Sequence, residues 1–314
     1  MHNISCNTAC KRTYTTTSTV SETYPTCKSK PSQSEFNLSI SHPVRCDPRH
    51  LEHHRASRHA SLSDNVSPMA HPSQTRKPNY DITAALAHLN AADPKLARLI
   101  ARAGPFTMRL AHAQSPFQAL TEAIIYQQLH GKAAATIHKR LLESFHPITG
   151  LDPLGNAVHP EPQHLLDCPN EQLRAAGLSH NKALALRDLA AKTLDGTVPA
   201  LPRIRRMSDQ AIIDHLTQVR GIGQWTVEMM LIFRLGRPNV FPTNDYGIRK
   251  GFALTFGKLK PPKGGGPVKV TPMDLPKPDV MLRCAKKWEP WRSIASWYLW
   301  RACDLANSDK QAST

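Results

Sequence analysis

From Tyr80 to Leu305 the apolar residues recur at intervals of three and four, the spacing of a buried stripe along an α-helix. Asp81 precedes a stripe of Ile82, Leu86 and Leu89, and Asp93-Pro94 opens a second segment that stops at Gly104-Pro105. Ser115-Pro116 opens a third, with Phe117, Leu120, Ile124 and Ile125 on one side; it breaks at Gln127-Gln128-Leu129, and the helical pattern resumes from Lys132 to Phe145. Each opening places a side-chain oxygen where it can accept from the free amides of a first turn. Residues 146–162 read as a Pro/Gly loop, followed by short helical units near Pro169–Ala176 and His180–Leu194. Ser208 caps a helix carrying Ile212, Ile213 and Leu216, which stops at Arg220-Gly221. Trp225 to Phe233 is almost wholly apolar, so that helix is expected to be deeply buried until Gly236 and Pro238 end it. Asp245, closing Pro242-Thr243-Asn244-Asp245, stands where a loop enters a helix with Ile248, Phe252 and Leu254 inside; Pro278–Trp288 and Trp291–Leu305 supply the last two helices. No alternating pattern of useful length marks a strand, so the expected fold is all-α.

The first 78 residues break this regularity. They are rich in Ser, Thr, Pro and His and poor in large apolar residues, too few to offset the entropy of ordering, and a disordered leader is expected over 1–78. Lys258–Lys277, with its PPKGGGP run, reads as a mobile basic loop. The chain has 314 residues, with 40 Lys plus Arg against 24 Asp plus Glu, a formal net charge of +16. That excess favours a polyanionic partner, and nucleic acid is the simplest one. An anionic membrane surface is the rival, but no apolar run approaches the roughly 18 residues of a spanning helix. Seven scattered cysteines and no apolar N-terminal run point to reduced thiols in an intracellular protein.

Candidate chemistry gathers between Leu216 and Phe252. Gly221 and Gly223 bracket Ile222, allowing a sharp turn with bare amides at the start of the next helix, an end that attracts phosphate. By itself a Gly-x-Gly is most often an ordinary turn. Asp245, taken alone, is a helix cap.

Together, VRGIGQWTVEM and VFPTNDYGIRKGF resemble the hairpin and catalytic-aspartate segment of the helix-hairpin-helix base-excision DNA glycosylases, and within them the alkylbase branch, the DNA-3-methyladenine glycosylase II enzymes. The resemblance covers roughly residues 80 to 305. It implies two helical lobes with a DNA-binding cleft between them, a middle lobe over about 112–235 and another from about 79–111 and 236–310. It implies an enzyme that flips out and hydrolytically excises alkylated bases such as 3-methyladenine and 7-methylguanine from damaged double-stranded DNA, acting as a monomer wherever the DNA is. Asp245 becomes the catalytic carboxylate. Trp225 stands where lyase-competent branches carry a Schiff-base lysine, so no strand cleavage is expected, and Trp225, Met229 and Trp300 line the base pocket. Gln128, with Leu129 beside it, becomes the wedge inserted into the gap left by the flipped nucleotide. Gly221, Gly223, Gln224 and Thr226 hold the DNA backbone. Main-chain carbonyls of Thr217, Val219 and Ile222 hold a structural monovalent cation, and no catalytic metal or other cofactor is implied. Arg249, Lys250 and Arg292 are weaker DNA contacts. Two readings stay open beside this one: a glycosylase for deaminated or oxidised bases, and a helix-hairpin-helix DNA-binding protein without catalysis.

Overall fold

The computed structural model of the chain describes residues 75–111, 115–153, 155–257 and 270–312. The expected leader up to residue 74, and residues 258–269 of the expected basic loop, lie outside them. Residues 75–78, assigned by composition to the leader, belong to the fold: Thr75–Arg76 (β1) pairs antiparallel with Leu110–Ala111 (β2), Thr75 opposite Ala111. Two-residue strands carry no alternation, which is why the sequence pattern does not show them.

Among the described residues all else that is regular is helical. The elements are α1 (Ile82–Ala92), α2 (Pro94–Ala103), α3 (Pro116–Tyr126), α4 (Gly131–Thr149), α5 (Pro162–Asp167), α6 (Asn170–Ala175) and α7 (His180–Leu194). After them come α8 (Leu201–Ile204), α9 (Asp209–Leu216), α10 (Gln224–Met230), α11 (Tyr246–Phe256), α12 (Pro278–Ala285) and α13 (Arg292–Ala312). The caps follow the sequence: Asp81 accepts from the Ala84 amide, Asp93 from Lys95 and Leu96, and Ser208 from Ala211. Ser115 exchanges hydrogen bonds with Gln118 in a capping box. Helix α10 runs into a π-helical turn, Leu231–Leu235, closed by Gly236 in the left-handed conformation.

The middle of the chain packs α3 and α5 against α7 and α9 against α10, burying Leu120, Leu141, Phe145, Leu165, Leu186 and Leu189. The first and last described helices meet in a second group, in which α13 packs on α2 and most extensively on α11, and α1 lies on α2. Asp93 ties that group together by accepting from Trp288 Nε1 at 3.0 Å and pairing with Lys287 at 2.9 Å. Gly251 lets α11 and α13 touch: a Cβ built there would lie 1.9 Å from the Leu299 carbonyl oxygen.

A polar cluster is buried in the middle group. His138 and His159 face one another with ring centroids 6.3 Å apart, near Tyr126 and Phe117. His159 Nδ1 contacts the Pro160 carbonyl at 2.9 Å, whereas His159 Nε2 and both nitrogens of His138 have no partner among the described residues. Burial pushes both imidazoles down to about 4. A free histidine titrates near ~6.5, so below that pH the unfolded chain binds protons that the folded chain refuses. Their stabilising contribution is therefore complete above about 6.5 and falls progressively until about 4, by up to ~3 kcal/mol per ring. We expect the melting temperature to drop across that window and His138→Leu to flatten the drop. A His138→Leu slope identical to the parent's would remove this imidazole as the source.

Candidate active site and nucleic-acid interface

Asp245 is the N-cap of α11 and is buried, 8% exposed. Its Oδ1 accepts from the Ile248 amide at 2.7 Å, which is the capping bond, and from Trp300 Nε1 at 2.9 Å. Its Oδ2 accepts from Trp225 Nε1 at 2.8 Å. Three N–H donors, from α11, α13 and α10, thus hold one carboxylate in a single orientation, and capping α11 leaves its Oδ2 free of the helix. Gly247 makes room for this: a Cβ there would lie 2.8 Å from Trp300 Cδ1 and 3.1 Å from Asp245 Oδ1.

The three expected pocket residues differ in what they present. Trp225 is 47% exposed, an open indole beside the carboxylate. Met229 is half-buried against the core one turn further on. Trp300 is only 2% exposed, with Phe233 stacked on it at 5.5 Å and 29°. Trp300, expected to line the base pocket, has its ring walled in and its N–H spent on Asp245. Two further residues at the site escape sequence reasoning. Tyr246, next to Asp245, is 53% exposed. Glu228, on the buried side of α10, has its carboxyl pushed up by desolvation, and the charge of Asp245 adds to the rise, against a 2.9 Å hydrogen bond from Gln224 Nε2. An acidic residue inside an otherwise apolar helix was the available signal.

Helix α9, the turn and α10 form the hairpin. Gly221 has φ +77°, a left-handed conformation that suits glycine, and Gly223 is the N-cap of α10 with φ −96°. Among the described residues the amides of Gly223, Gln224 and Trp225 have no partner, whereas the Thr226 amide donates to the Gly223 carbonyl at 3.0 Å. Thr226 can therefore meet a phosphate through its hydroxyl, not its amide. The Gln224 side chain is engaged with Glu228, leaving its amide as the outward donor. Asp188 of α7 moors the turn, accepting from the Arg220 amide at 2.7 Å and from Lys192, whose Nζ also reaches the Gln218 carbonyl at 2.6 Å. Of the three carbonyls expected to bind a cation, Val219 accepts from the Ile222 amide at 3.0 Å, and those of Thr217 and Ile222 accept nothing among the described residues.

The expected wedge lies beside the hairpin. Gln127 is the C-cap of α3, and its Nε2 donates to the Gly221 carbonyl at 2.9 Å. Gln128 has φ +59° and is exposed, and Leu129 is 39% exposed. Wedge, hairpin and carboxylate are hence joined by a hydrogen-bonded path from Gln127 to Gly221, along the turn to Trp225, and on to Asp245. Arg292 is drawn out of the set of DNA contacts, because its guanidinium is held by Asn239 at 2.8 Å and Glu289 at 3.1 Å. Arg249 likewise donates to the Pro276 carbonyl. A separate cavity of about 440 Å³ between α2, α11 and α13 contains none of these residues. Among the described residues no cluster of three or more His, Cys, Asp or Glu is arranged to hold a metal ion.

Comparison with known proteins identifies the family. Residues 121–263 match the family described as HhH-GPD superfamily base excision DNA repair protein. The chain is 34% identical over 230 residues to DNA-3-methyladenine glycosylase 1 of Schizosaccharomyces pombe, covering 73% of this chain and 91% of the relative. Among solved structures it is similar to a 3-methyladenine DNA glycosylase of Schizosaccharomyces pombe in complex with abasic DNA, at 32% identity, TM-score 0.54, and coverage of 69% and 95% of the two chains. It is also similar to a DNA-3-methyladenine glycosidase of Bacillus halodurans, at 26% identity, TM-score 0.58, and coverage of 76% and 99%.

Proposed function

The chain belongs to the HhH-GPD superfamily of base excision DNA repair proteins, in the branch of the DNA-3-methyladenine glycosylases, and on that premise we propose that it excises alkylated purines from duplex DNA by hydrolysis. The observation that carries this is the Asp245 carboxylate, fixed by two indole N–H groups and a helix amide beside the exposed ring of Trp225. A base must leave the stack before its glycosidic bond is within reach. N-methylated purines such as 3-methyladenine and 7-methylguanine carry positive charge, which the π face of Trp225 attracts. As the bond breaks, its electron pair moves onto the base and neutralises it, and positive charge develops at the sugar carbon. Asp245 stabilises that charge and orients the water that adds to the same carbon, the water's proton passing to solvent. Buried Trp300 acts by holding the carboxylate, and Met229 borders the base.

An excision assay on methylated DNA, beside duplexes containing uracil, hypoxanthine or 8-oxoguanine, tests the substrate class. Excision confined to a deaminated or oxidised base would replace the alkylbase reading, and no excision of any would leave a DNA-binding protein.

Because Trp225 has no primary amine, the product is an intact abasic strand. Borohydride added during turnover is expected to trap no protein–DNA adduct. An adduct would reveal lyase chemistry from a lysine, with Lys250, on the helix of Asp245, the first to replace.

The unpartnered amides at Gly223, Gln224 and Trp225 hold phosphate without reading sequence, and the +16 net charge adds a salt-dependent attraction. Gly223 allows a clean test: a Cβ there meets nothing within 4 Å in the protein and its φ is ordinary, so Gly223→Ala leaves the fold intact. That Cβ stands where the DNA backbone approaches. Affinity is expected to fall on damaged and undamaged duplex alike in a salt titration; parental affinity across the titration would take the clamp away from this turn. The Thr217, Val219 and Ile222 carbonyls would hold a monovalent cation through oxygen donors alone, beside the turn that Lys192 already steadies.

A further inference from the structure

Helix α3 ends at the wedge, and the negative end of a helix favours a cation. Lys182, in the first turn of α7, supplies one. Its Nζ lies 2.6 Å from the Ile125 carbonyl oxygen and 2.8 Å from that of Gln127. The ammonium is partly buried, and desolvation pulls its pKa below the usual lysine value. Burial on this scale costs stability unless the protons are received, and two carbonyls that α3 leaves without helical donors receive them. On the other side of the same turn, Gln127 Nε2 donates to the Gly221 carbonyl of the hairpin. The Leu129 amide closes the turn on Tyr126 at 3.3 Å.

Between these fixed points stands Gln128, at φ +59°. A left-handed backbone costs a residue other than glycine roughly 1–2 kcal/mol, and it persists where the surroundings over-determine it. Here they do. The strain sits on Gln128, exposed like Leu129 beside it, directly after the anchored Gln127 and inside the turn that the Leu129 amide closes, so that release of either anchor of Gln127 lets the backbone return to negative φ and withdraw that side chain.

We propose that Lys182 and Gln127 are positioning residues that clip the wedge turn to the DNA-holding hairpin, so that Gln128 is already projected when the hairpin engages phosphate. The proposal rests on the glycosylase reading above. The clip acts on opening of the duplex and capture of the flipped base, not on bond cleavage: the hydrogen bonds of both residues run to main-chain carbonyls of the two turns, and none runs to Asp245.

The test uses Lys182→Met and Gln127→Ala in the full chain, with single-turnover excision measured on two methylated substrates. In one the lesion is normally paired; in the other it lies in a bulge, already out of the stack. On the paired lesion each variant is expected to slow about 10- to 100-fold, the range that a misplaced positioning group produces. On the bulged lesion the rate should return to near that of the parent, and affinity for undamaged duplex should not change. A 2-aminopurine placed next to the paired lesion should brighten less on binding the variants than on binding the parent. An equal loss on both substrates would mean general damage to the fold or the catalytic centre and would overturn the clip, as would parental rates on the paired lesion. A parent protein that excises neither substrate would instead sink the glycosylase reading itself.

Discussion

Asp245→Asn is expected to reduce single-turnover excision by on the order of 10³-fold, the upper range for loss of one preorganised electrostatic group, while affinity for duplex DNA stays near parental. The geometry explains why so small a change has so large an effect. Both carboxylate oxygens accept from indole N–H groups, Oδ1 from Trp300 and Oδ2 from Trp225. An amide keeps one acceptor and turns the other position into a donor that faces a donor. Asparagine caps helices about as well as aspartate, so the Ile248 bond survives with the amide oxygen in the Oδ1 place, and stability should change by less than ~1 kcal/mol. The mismatch then falls on Trp225, which is half exposed and can turn its N–H to water. What is lost is the negative charge at the sugar. Excision at close to the parental rate, in a variant shown by circular dichroism to be folded, would remove Asp245 from the chemistry.

Gly251→Ala is expected to lower the melting temperature by ~6–12 °C, corresponding to about 3 kcal/mol in a domain of this size. Two effects oppose one another. Replacing a helical glycine by alanine gains up to ~1 kcal/mol of helix propensity. Against it, the new Cβ would stand 1.9 Å from the Leu299 carbonyl oxygen and 2.6 Å from its carbonyl carbon. These are backbone atoms in the middle of α13 and cannot rotate aside, so α11 and α13 must part by more than an ångström along their shared face. Overpacking wins. The same separation pulls Trp300, next to Leu299, away from Asp245 at the start of α11, so excision should fall in whatever fraction remains folded. Thermal melts and single-turnover assays on one preparation measure both; a melting temperature at or above the parent's would show that the two helices can slide without cost.

The local grammar of the helices was legible in the chain. Asp81, Asp93, Ser115, Ser208 and Asp245 all cap helices where the apolar stripes begin, because a cap and its amides are separated by two or three residues and lie in one short stretch of sequence. Gly221 and Gly236 likewise take up the left-handed conformations that their positions at helix ends suggest. The joint pattern of hairpin and aspartate pointed to the candidate site. Tertiary structure alone decided which of these residues touch one another and which are buried. Trp225 and Trp300 lie 20 and 55 residues from Asp245 in sequence yet donate to its two oxygens, and no periodicity links them. Whether an indole offers a face or is walled in by Phe233 depends on how α13 crosses its neighbours, so the sequence could name Trp300 as a pocket residue but not show that its ring is buried. Nothing in the sequence singles out Lys182; its carbonyl partners appear only where the end of α3 meets the start of α7. Capping and stripes are set by neighbours within one or two turns; the partners of buried polar groups are set by the packing of helices distant in sequence, and that packing is encoded only in the whole core.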